Sequence, residues 1–295
     1  MKVLSLFDGM SCGQIAINRL GFKIDSYYAS EIKKHAINVT KHNYPNTIHI
    51  GDVNKVSYNN GILYTENGNY EVGDIDLLIG GSPCQDLSGM NKKQSGLKGE
   101  KSSLFWEYAR ILKEVRPKYF MLENVGSMPY CDAMEITKEL AVDGVRINSS
   151  LVSAQLRDRI YWTNIKGDGV DLFGNSYIEQ PIDKGIKLSD ILEDGYTDRE
   201  KSRALLARAY IAAPKGNTKN RFLFRRYNQG FLNAKWSNTN MIQDNILMLS
   251  RRELERLQTV PDGYTDCVSF MDASNLLGDG WTIDVICHIL KNIEL

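Results

Sequence analysis

Gly80-Gly81-Ser82-Pro83-Cys84-Gln85-Asp86-Leu87-Ser88 follows Ile75-Asp76-Leu77-Leu78-Ile79, a short apolar run of the kind that forms a buried parallel strand. Two glycines let the backbone turn sharply where that strand ends, and Pro83 directs the chain into Cys84. A thiol so placed stands at the carboxyl end of a strand, where open α/β sheets bind ligands. From Ser88 to Ser103 a Gly/Ser/Lys-rich stretch has no apolar period and reads as a long mobile loop. For an arbitrary free thiol a buried structural role is the commoner one. Packing does not require Pro-Cys after Gly-Gly-Ser, which favours a reactive thiol at the base of a lid.

The rest of the chain sets the limits. Its 295 residues can bury a full core in one large domain or two, and 42% apolar with 24% charged residues is ordinary for a soluble globular protein. A net charge of +0 advertises no polyanion partner, although a local basic face is enough for one. Five scattered cysteines (Cys12, Cys84, Cys131, Cys267, Cys287) form no CxxC pair and four histidines show no ligand spacing. Reduced thiols in a cytoplasmic protein, with no metal site, are expected. The start meets Asp8 too soon for a signal peptide, and no run approaches the ~20 apolar residues of a membrane span.

Strand–helix alternation fills the first half. Lys2 to Phe7 reads as a strand, Asp8-Gly9-Met10-Ser11-Cys12-Gly13-Gln14 as a turn, and Ile15, Ala16 and Leu20 as a short helix closed by Gly21. Glycine turn before helix is how a nucleotide-like cofactor is cradled, but this is neither GxGxxG nor a P-loop. A second strand, Ile24 to Ala29, ends in Ser30-Glu31, whose carboxylate fits a grip on ribose hydroxyls and a helix N-cap equally well. A helix over Ile32 to Asn43 and a strand from Thr47 to Ile50 lead to Gly51-Asp52-Val53. In Val56 to Gly73, Asn67-Gly68 between β-rich runs signals a hairpin, taken as a surface insertion without chemistry. Leu104 to Val115 has helical spacing ended by Arg116-Pro117, and a strand over Tyr119 to Leu122 delivers Glu123-Asn124-Val125 to the edge that carries Cys84. A helix from Ala133 to Val142 and a strand from Arg146 to Ala154 precede Gln155-Leu156-Arg157-Asp158-Arg159 and Ile160-Tyr161-Trp162, with Arg157 and Arg159 expected on one face.

The pattern then changes. Between Lys166 and about Gln243 the alternation stops, and Arg199 to Arg226 concentrates Lys201, Arg203, Arg208, Lys215, Lys219, Arg221, Arg225 and Arg226 against Glu200 alone, with aromatics interleaved. That is the local footprint of a polyanion partner. Ser250 with Glu253 forms a capping box opening a helix before Thr259-Val260-Pro261-Asp262-Gly263-Tyr264, and Gly278-Asp279-Gly280-Trp281 precedes a final apolar helix.

In this order the stretches resemble the motifs of the cytosine-C5 DNA methyltransferases. Motif I is similar to the Asp8 to Gln14 turn after its strand, motif III to Gly51-Asp52-Val53, motif IV to the Pro83-Cys84 stretch and motif V to Leu104 to Ile111. Motif VI resembles Glu123-Asn124-Val125, motif VIII Gln155 to Arg159, motif IX Leu249 to Tyr264 and motif X Leu277 to Val285. The Asp8 turn, the Cys-Gln-Asp-Leu-Ser continuation and the ending look most like the eukaryotic de novo enzymes and small phage or bacterial relatives. One departure is Asp279, where most members have Asn.

The resemblance implies an α/β fold: the Rossmann-like, mixed sheet of S-adenosylmethionine-dependent methyltransferases, with helices on both faces and a small target-recognition region. Residues 1–165 and 246–295 would form the catalytic domain and 166–245 the recognition region. The implied cofactor, S-adenosyl-L-methionine, would meet Phe7, Asp8, Gly9, Ser11, Cys12, Gly13, Glu31, Ile32, Asp52, Val53, Pro83, Leu104, Asp279 and Trp281. Glu31 then holds the ribose, Asp52 the adenine amine, and Val53 packs on the ring. Cys84 would add to cytosine C6, Glu123 would bond N3 and the exocyclic amine, and Asn124 would position Glu123 or a water. Arg159 would take the base's O2, and Arg157 or Arg159 would favour the thiolate. Duplex DNA is the implied partner, with Ser88, Met90, Asn91, Lys92 and Lys93 filling the gap left by a flipped base and Lys219, Arg221, Arg225 and Arg226 reading or holding the flanks. A bacterial or phage-infected cytoplasm is the expected setting. The alternatives are a tRNA cytosine methyltransferase, argued against by Gln-Asp-Leu-Ser after Cys84, and an inactive DNA-binding accessory protein, argued against by Cys84, Glu123 and Arg159 together. Target sequence, oligomeric state and biological role are not set by these residues.

Overall fold

The computed structural model describes residues 1–83, 104–193, 196–197, 199–205, 231–232 and 249–294. A seven-stranded sheet has the order β3-β2-β1-β7-β8-β11-β9. Its strands are β1 (Lys2–Leu6), β2 (Ser26–Ser30), β3 (Ile48–His49), β7 (Leu77–Gly81), β8 (Tyr119–Val125), β9 (Gly144–Asn148) and β11 (Asp158–Thr163). The first five in that order run parallel, and β11 lies antiparallel to β8. The expected mixed α/β sheet is therefore present. Strand order reverses between β1 and β7, so the crevice at their carboxyl ends is the natural ligand site of such a sheet.

Alternation along the strands divides two apolar layers. Leu4, Leu6, Leu78, Leu122 and Trp162 face helix α3 (Leu104–Val115) and helix α4 (Tyr130–Leu140) in one buried cluster with Phe105, Tyr108, Ile111, Ile136 and Leu140. The intervening Val3, Tyr27, Leu77, Ile79, Met121 and Tyr161 are also buried, as are Ile15, Ala16 and Ile17 of α1 (Cys12–Arg19) and Ala36 and Val39 of α2 (Lys34–Asn43). Gly13 shows how closely α1 approaches, because a Cβ there would fall 2.2 Å from Ile79 Cδ1. At the chain's end Cys287 Sγ lies 3.7 Å from the Ala16 carbonyl.

Several boundaries differ from those predicted. Strand β8 runs on through Glu123, Asn124 and Val125 because β7 and β11 flank it and take its backbone groups. The 146–154 strand stops at Asn148, where a 3-10 turn over Ser149–Leu151 begins, capped by the Asn148 side chain. Arg157 falls between β10 (Gln155–Leu156) and β11, so alternation does not place it on the face of Arg159. The 56–73 stretch is a three-stranded sheet of β4 (Ser57–Asn59), β5 (Ile62–Thr65) and β6 (Gly68–Glu71). Thr65 pairs with Gly68, so Glu66-Asn67 form the turn, one residue earlier than Asn-Gly suggested. The Ser250–Glu253 capping box does open helix Arg251–Leu257.

Two compact units emerge, residues 1–147 with 158–180 and 286–295, and residues 148–157 with 181–285. Residues 249–285 cluster with the second unit and 286–294 with the first. Among the described residues no helix is long and apolar enough to cross a membrane.

Tyr108 is buried against this core with a hydroxyl that has no hydrogen-bond partner among the described residues. An unsatisfied buried hydroxyl costs about 1–3 kcal/mol. Tyr108→Phe should therefore melt at the same or a higher temperature than wild type in calorimetry, and a clear fall would show that the hydroxyl is used.

Candidate active site

The first unit assembles its polar groups at the carboxyl ends of β1, β2, β7 and β8. After β1 the backbone enters the left-handed region at Phe7 (φ 57°), Gly9 (φ 59°) and Ser11 (φ 60°). Two of these carry side chains, and such conformations persist only when the surroundings hold them. The hold is visible. Asp8 N–H donates to the Ser30 carbonyl at 3.0 Å and Gly9 N–H to Glu31 Oε2 at 2.8 Å. Glu31 Oε1 accepts from the Ile32 and Lys33 amides at 2.8 Å each, so its carboxylate joins the turn to the start of α2. Ile32 beside it is 68% exposed, an apolar side chain open to a flat partner. Asp52 caps the 3-10 turn Val53–Lys55, accepting from Asn54 N at 3.0 Å and Nδ2 at 2.8 Å.

Beneath the turn lies a buried polar network. Tyr27 OH donates to Asp8 Oδ1 at 2.8 Å, and Ser11 Oγ donates to the other oxygen. Ser11 in turn accepts from Gln14 Nε2 at 3.2 Å and Thr40 Oγ1 at 3.1 Å, and Gln14 reaches Thr47 Oγ1 at 2.7 Å. Burial pushes the Asp8 carboxyl up to about 6, against the pull of hydroxyls from Ser11, Ser5 and Tyr27, with Glu31 adding to the rise. Tyr27 was not foreseen as part of the site; its position on β2, facing the opposite way from Tyr28, is the signal that carried it.

On the other side of the switch point, Glu123 and Arg159 face each other. Tyr161 pairs with Glu123 in register and Arg159 lies two residues along, a diagonal that a long side chain spans. Arg159 Nε is 2.7 Å from Glu123 Oε1, with side chains 16% and 10% exposed. Gly81 is the register partner of Glu123 on β7, so this pair stands beside the strand end that leads through Ser82 and Pro83 to Cys84. Asn124, on the opposite face of β8, donates to Ser82 Oγ at 3.1 Å and the Ser82 carbonyl at 3.3 Å, while its own oxygen accepts from Val125 N at 2.8 Å. It secures the approach to Cys84 rather than reaching toward Glu123.

Arg157 belongs to the second unit. It is 3% exposed, and its guanidinium donates to the carbonyls of Leu205 (3.2 Å), Gly278 (3.1 Å) and Gly280 (2.8 Å). Gln155, Gln258, Thr282 and Ser149 form a buried chain beside it, with links of 2.8 to 2.9 Å. One of the two guanidiniums offered as partners of the thiolate thus holds the loop before Trp281, which is buried. Asp279 is exposed on the last turn of helix Phe270–Asp279, where a carboxylate opposes the helix dipole. Cys84, the loop residues Ser88, Met90, Asn91, Lys92 and Lys93, and the basic residues Lys219, Arg221, Arg225 and Arg226 lie outside the described residues.

A family model described as C-5 cytosine-specific DNA methylase matches residues 1–211. The chain belongs to that family. The type II methyltransferase M1.ScrFI of Lactococcus lactis subsp. cremoris is 28% identical over 99% of this methylase and 77% of its own length. The orphan methyltransferase M.Rho11sI of Bacillus phage rho11s is 31% identical over 66% of this chain, which spans 37% of that protein. The DNA (cytosine-5)-methyltransferase DRM2 of Arabidopsis thaliana is 39% identical over 40% of this chain and 19% of its own. Likeness to phage, bacterial and plant members alike agrees with the motif reading. Among solved structures, Entamoeba histolytica methyltransferase EhMeth has a TM-score of 0.65 at 12% identity, covering 99% of this chain and 97% of that one. The S. pombe Dnmt2 methyltransferase has a TM-score of 0.61 at 15% identity, covering 98% and 97%. Both show the shared fold.

The buried Asp8 of this methylase gives a signed pH dependence. Its folded pKa is about 6 against an ordinary 3.8, so between those values the folded protein keeps a proton that the unfolded chain has released. Stability from this group is complete below the lower value and is lost as pH rises through the upper one, by ~3 kcal/mol in all. Asp8→Asn removes the titration and keeps the shape. Its melting temperature relative to wild type should rise between pH 4.5 and pH 8 in cofactor-free protein; a constant or falling difference would contradict the buried-charge account.

Proposed function

We propose that this chain transfers a methyl group from S-adenosyl-L-methionine to C5 of a cytosine flipped out of duplex DNA, through a covalent adduct of Cys84 with C6. The observation that carries the reading is the Glu123–Arg159 pair at the edge of β8, in register with the strand end that delivers Cys84. Such a pair offers a carboxylate that accepts from a base's exocyclic amine and from a protonated N3, and a cation to its O2, three groups that cytosine presents on one edge.

The residues at the β1 and β2 ends fit the cofactor. Glu31 keeps about one of its four lone-pair sites after accepting three amides and can take a ribose hydroxyl there. Ile32 supplies an open apolar side chain for one face of an adenine, and Asp52 a surface carboxylate for its amine. When bound, the cofactor supplies an electrophilic methyl on a sulfonium. Phe7, Asp8, Gly9, Ser11, Cys12, Gly13, Val53, Pro83, Leu104, Asp279 and Trp281 complete our proposed set.

Cytosine C5 is a poor nucleophile until C6 carries a thiolate, so addition of Cys84 divides one hard step into two. As Cys84 adds, N3 takes up a proton; Glu123 stabilises the added form by accepting from that N3–H and from the exocyclic amine, and Arg159 donates to O2 while keeping Glu123 in place. Asn124 contributes by holding Ser82, and Arg157 by holding the Gly278–Gly280 carbonyls. After methylation a water takes the C5 proton, the electron pair of that C–H bond re-forms the C5–C6 double bond, and the Cys84–C6 bond breaks to regenerate the thiolate. A stacked base is out of reach, so flipping is required, at a few kcal/mol. Residues 88–93 are the proposed gap fillers and residues 166–245, chiefly 219–236, the proposed readers of flanking sequence.

A mixed-sequence duplex carrying 5-fluorocytosine should trap the wild-type protein in a cofactor-dependent complex that survives denaturing gels, because fluorine cannot leave as a proton does. Cys84→Ala should give none. Trapping by Cys84→Ala would remove this nucleophile, and trapping of tRNA in preference to duplex DNA would overturn the substrate.

A further inference from the structure

The hairpin read from sequence as a surface insertion is anchored at both ends. At its base Leu63, Val56 and Val72 are buried in one cluster with Phe105, Tyr108 and Ile111 of α3. Arg110 donates to the Val56 carbonyl at 2.7 Å, Tyr58 N–H to Glu114 Oε2 at 2.9 Å, and the Tyr70 ring packs 5.9 Å from that of Tyr28. A base fixed in this way gives the hairpin tip a defined position. The tip residues Glu66 and Asn67 both reach the turn after β3. Glu66 Oε1 accepts the Asp52 N–H at 2.7 Å, its other oxygen lies 2.6 Å from Lys55 Nζ, and Asn67 Nδ2 donates to the His49 carbonyl at 2.9 Å. Gly51 has φ +80°, and a Cβ there would fall 2.2 Å from Glu66 Oε1, so the chain leaves room for this carboxylate.

We infer that Glu66 is a positioning residue for the adenine end of the cofactor site. By accepting the Asp52 amide it fixes the Gly51–Asp52 peptide plane, and with it the direction in which the Asp52 carboxylate leaves the backbone. Lys55 holds Glu66 in that pose from the far side of the same turn. The inference rests on the proposed reading that Asp52 receives the adenine amine. Glu66 touches neither base nor methyl group, so its effect falls on cofactor affinity and on discrimination at the amine, and turnover at saturating cofactor stays as it was. An amide oxygen accepts the same N–H, so Gln should replace it and Ala should not.

Calorimetry on the full chain tests this with S-adenosylhomocysteine and S-inosylhomocysteine, in which a carbonyl replaces the adenine amine. Wild type and Glu66→Gln should both prefer the adenine compound. Glu66→Ala should lose roughly fivefold or more in affinity for it, the effect of one hydrogen bond, along with most of the preference, at unchanged melting temperature. A Glu66→Ala protein that discriminates as wild type does would overturn the inference alone. Wild type binding both compounds alike would overturn the Asp52 reading and the inference with it.

Discussion

The ion pair between Glu123 and Arg159 depends on a register. Only with Tyr161 opposite Glu123 does Arg159 stand on the same face, two residues on, at a distance its side chain can close. The antiparallel β11 must therefore be added to a parallel sheet, and β8 must continue past its apolar run to keep both groups in the ladder. A carboxylate only 10% exposed is tolerable there because a guanidinium meets it. Slipping β11 by one residue would turn Arg159 to the opposite face and leave Glu123 buried without its partner.

The second unit uses a guanidinium differently. Arg157 takes three backbone carbonyls, and the Gln155–Gln258–Thr282–Ser149 chain satisfies the polar groups around it. Glu255, fully buried, accepts from Gly263 N, Thr265 N and Thr265 Oγ1 and so shapes the turn after helix Arg251–Leu257. These networks fix loops, and they hold the Gly278–Trp281 segment alongside buried apolar residues such as Leu254, Leu257, Leu276, Leu277 and Ile283.

Much of this was legible in the residues. The apolar runs before Asp8, Glu31 and Glu123 mark parallel strands, and the polar residue after each run is bonded or paired at the sheet edge. Asp-Gly and Glu-Asn-Val have short-range causes, so they are legible without a structure. Arg157 was misplaced because alternation assumes an unbroken strand, whereas the chain crosses from one unit to the other at that residue. Asn124 bonds Ser82 and not Glu123 for a related reason: its neighbour Glu123 points the other way, and the choice of face depends on the partner strands. Glu66 left no local signal at all, because its role arises from a turn fourteen residues earlier in the chain.

The central claim is that the carboxylate held by Arg159 acts on the base while bonding changes at C5 and C6. Transfer of a tritiated methyl group from S-adenosylmethionine to unmethylated genomic DNA, measured for wild type and Glu123→Gln at saturating DNA and cofactor, tests it most directly. General acid–base groups contribute ~10²–10⁴-fold in rate, so kcat should fall by roughly that factor while the Kd for DNA stays close to wild type. An unchanged kcat, or a loss confined to DNA affinity, would contradict the account.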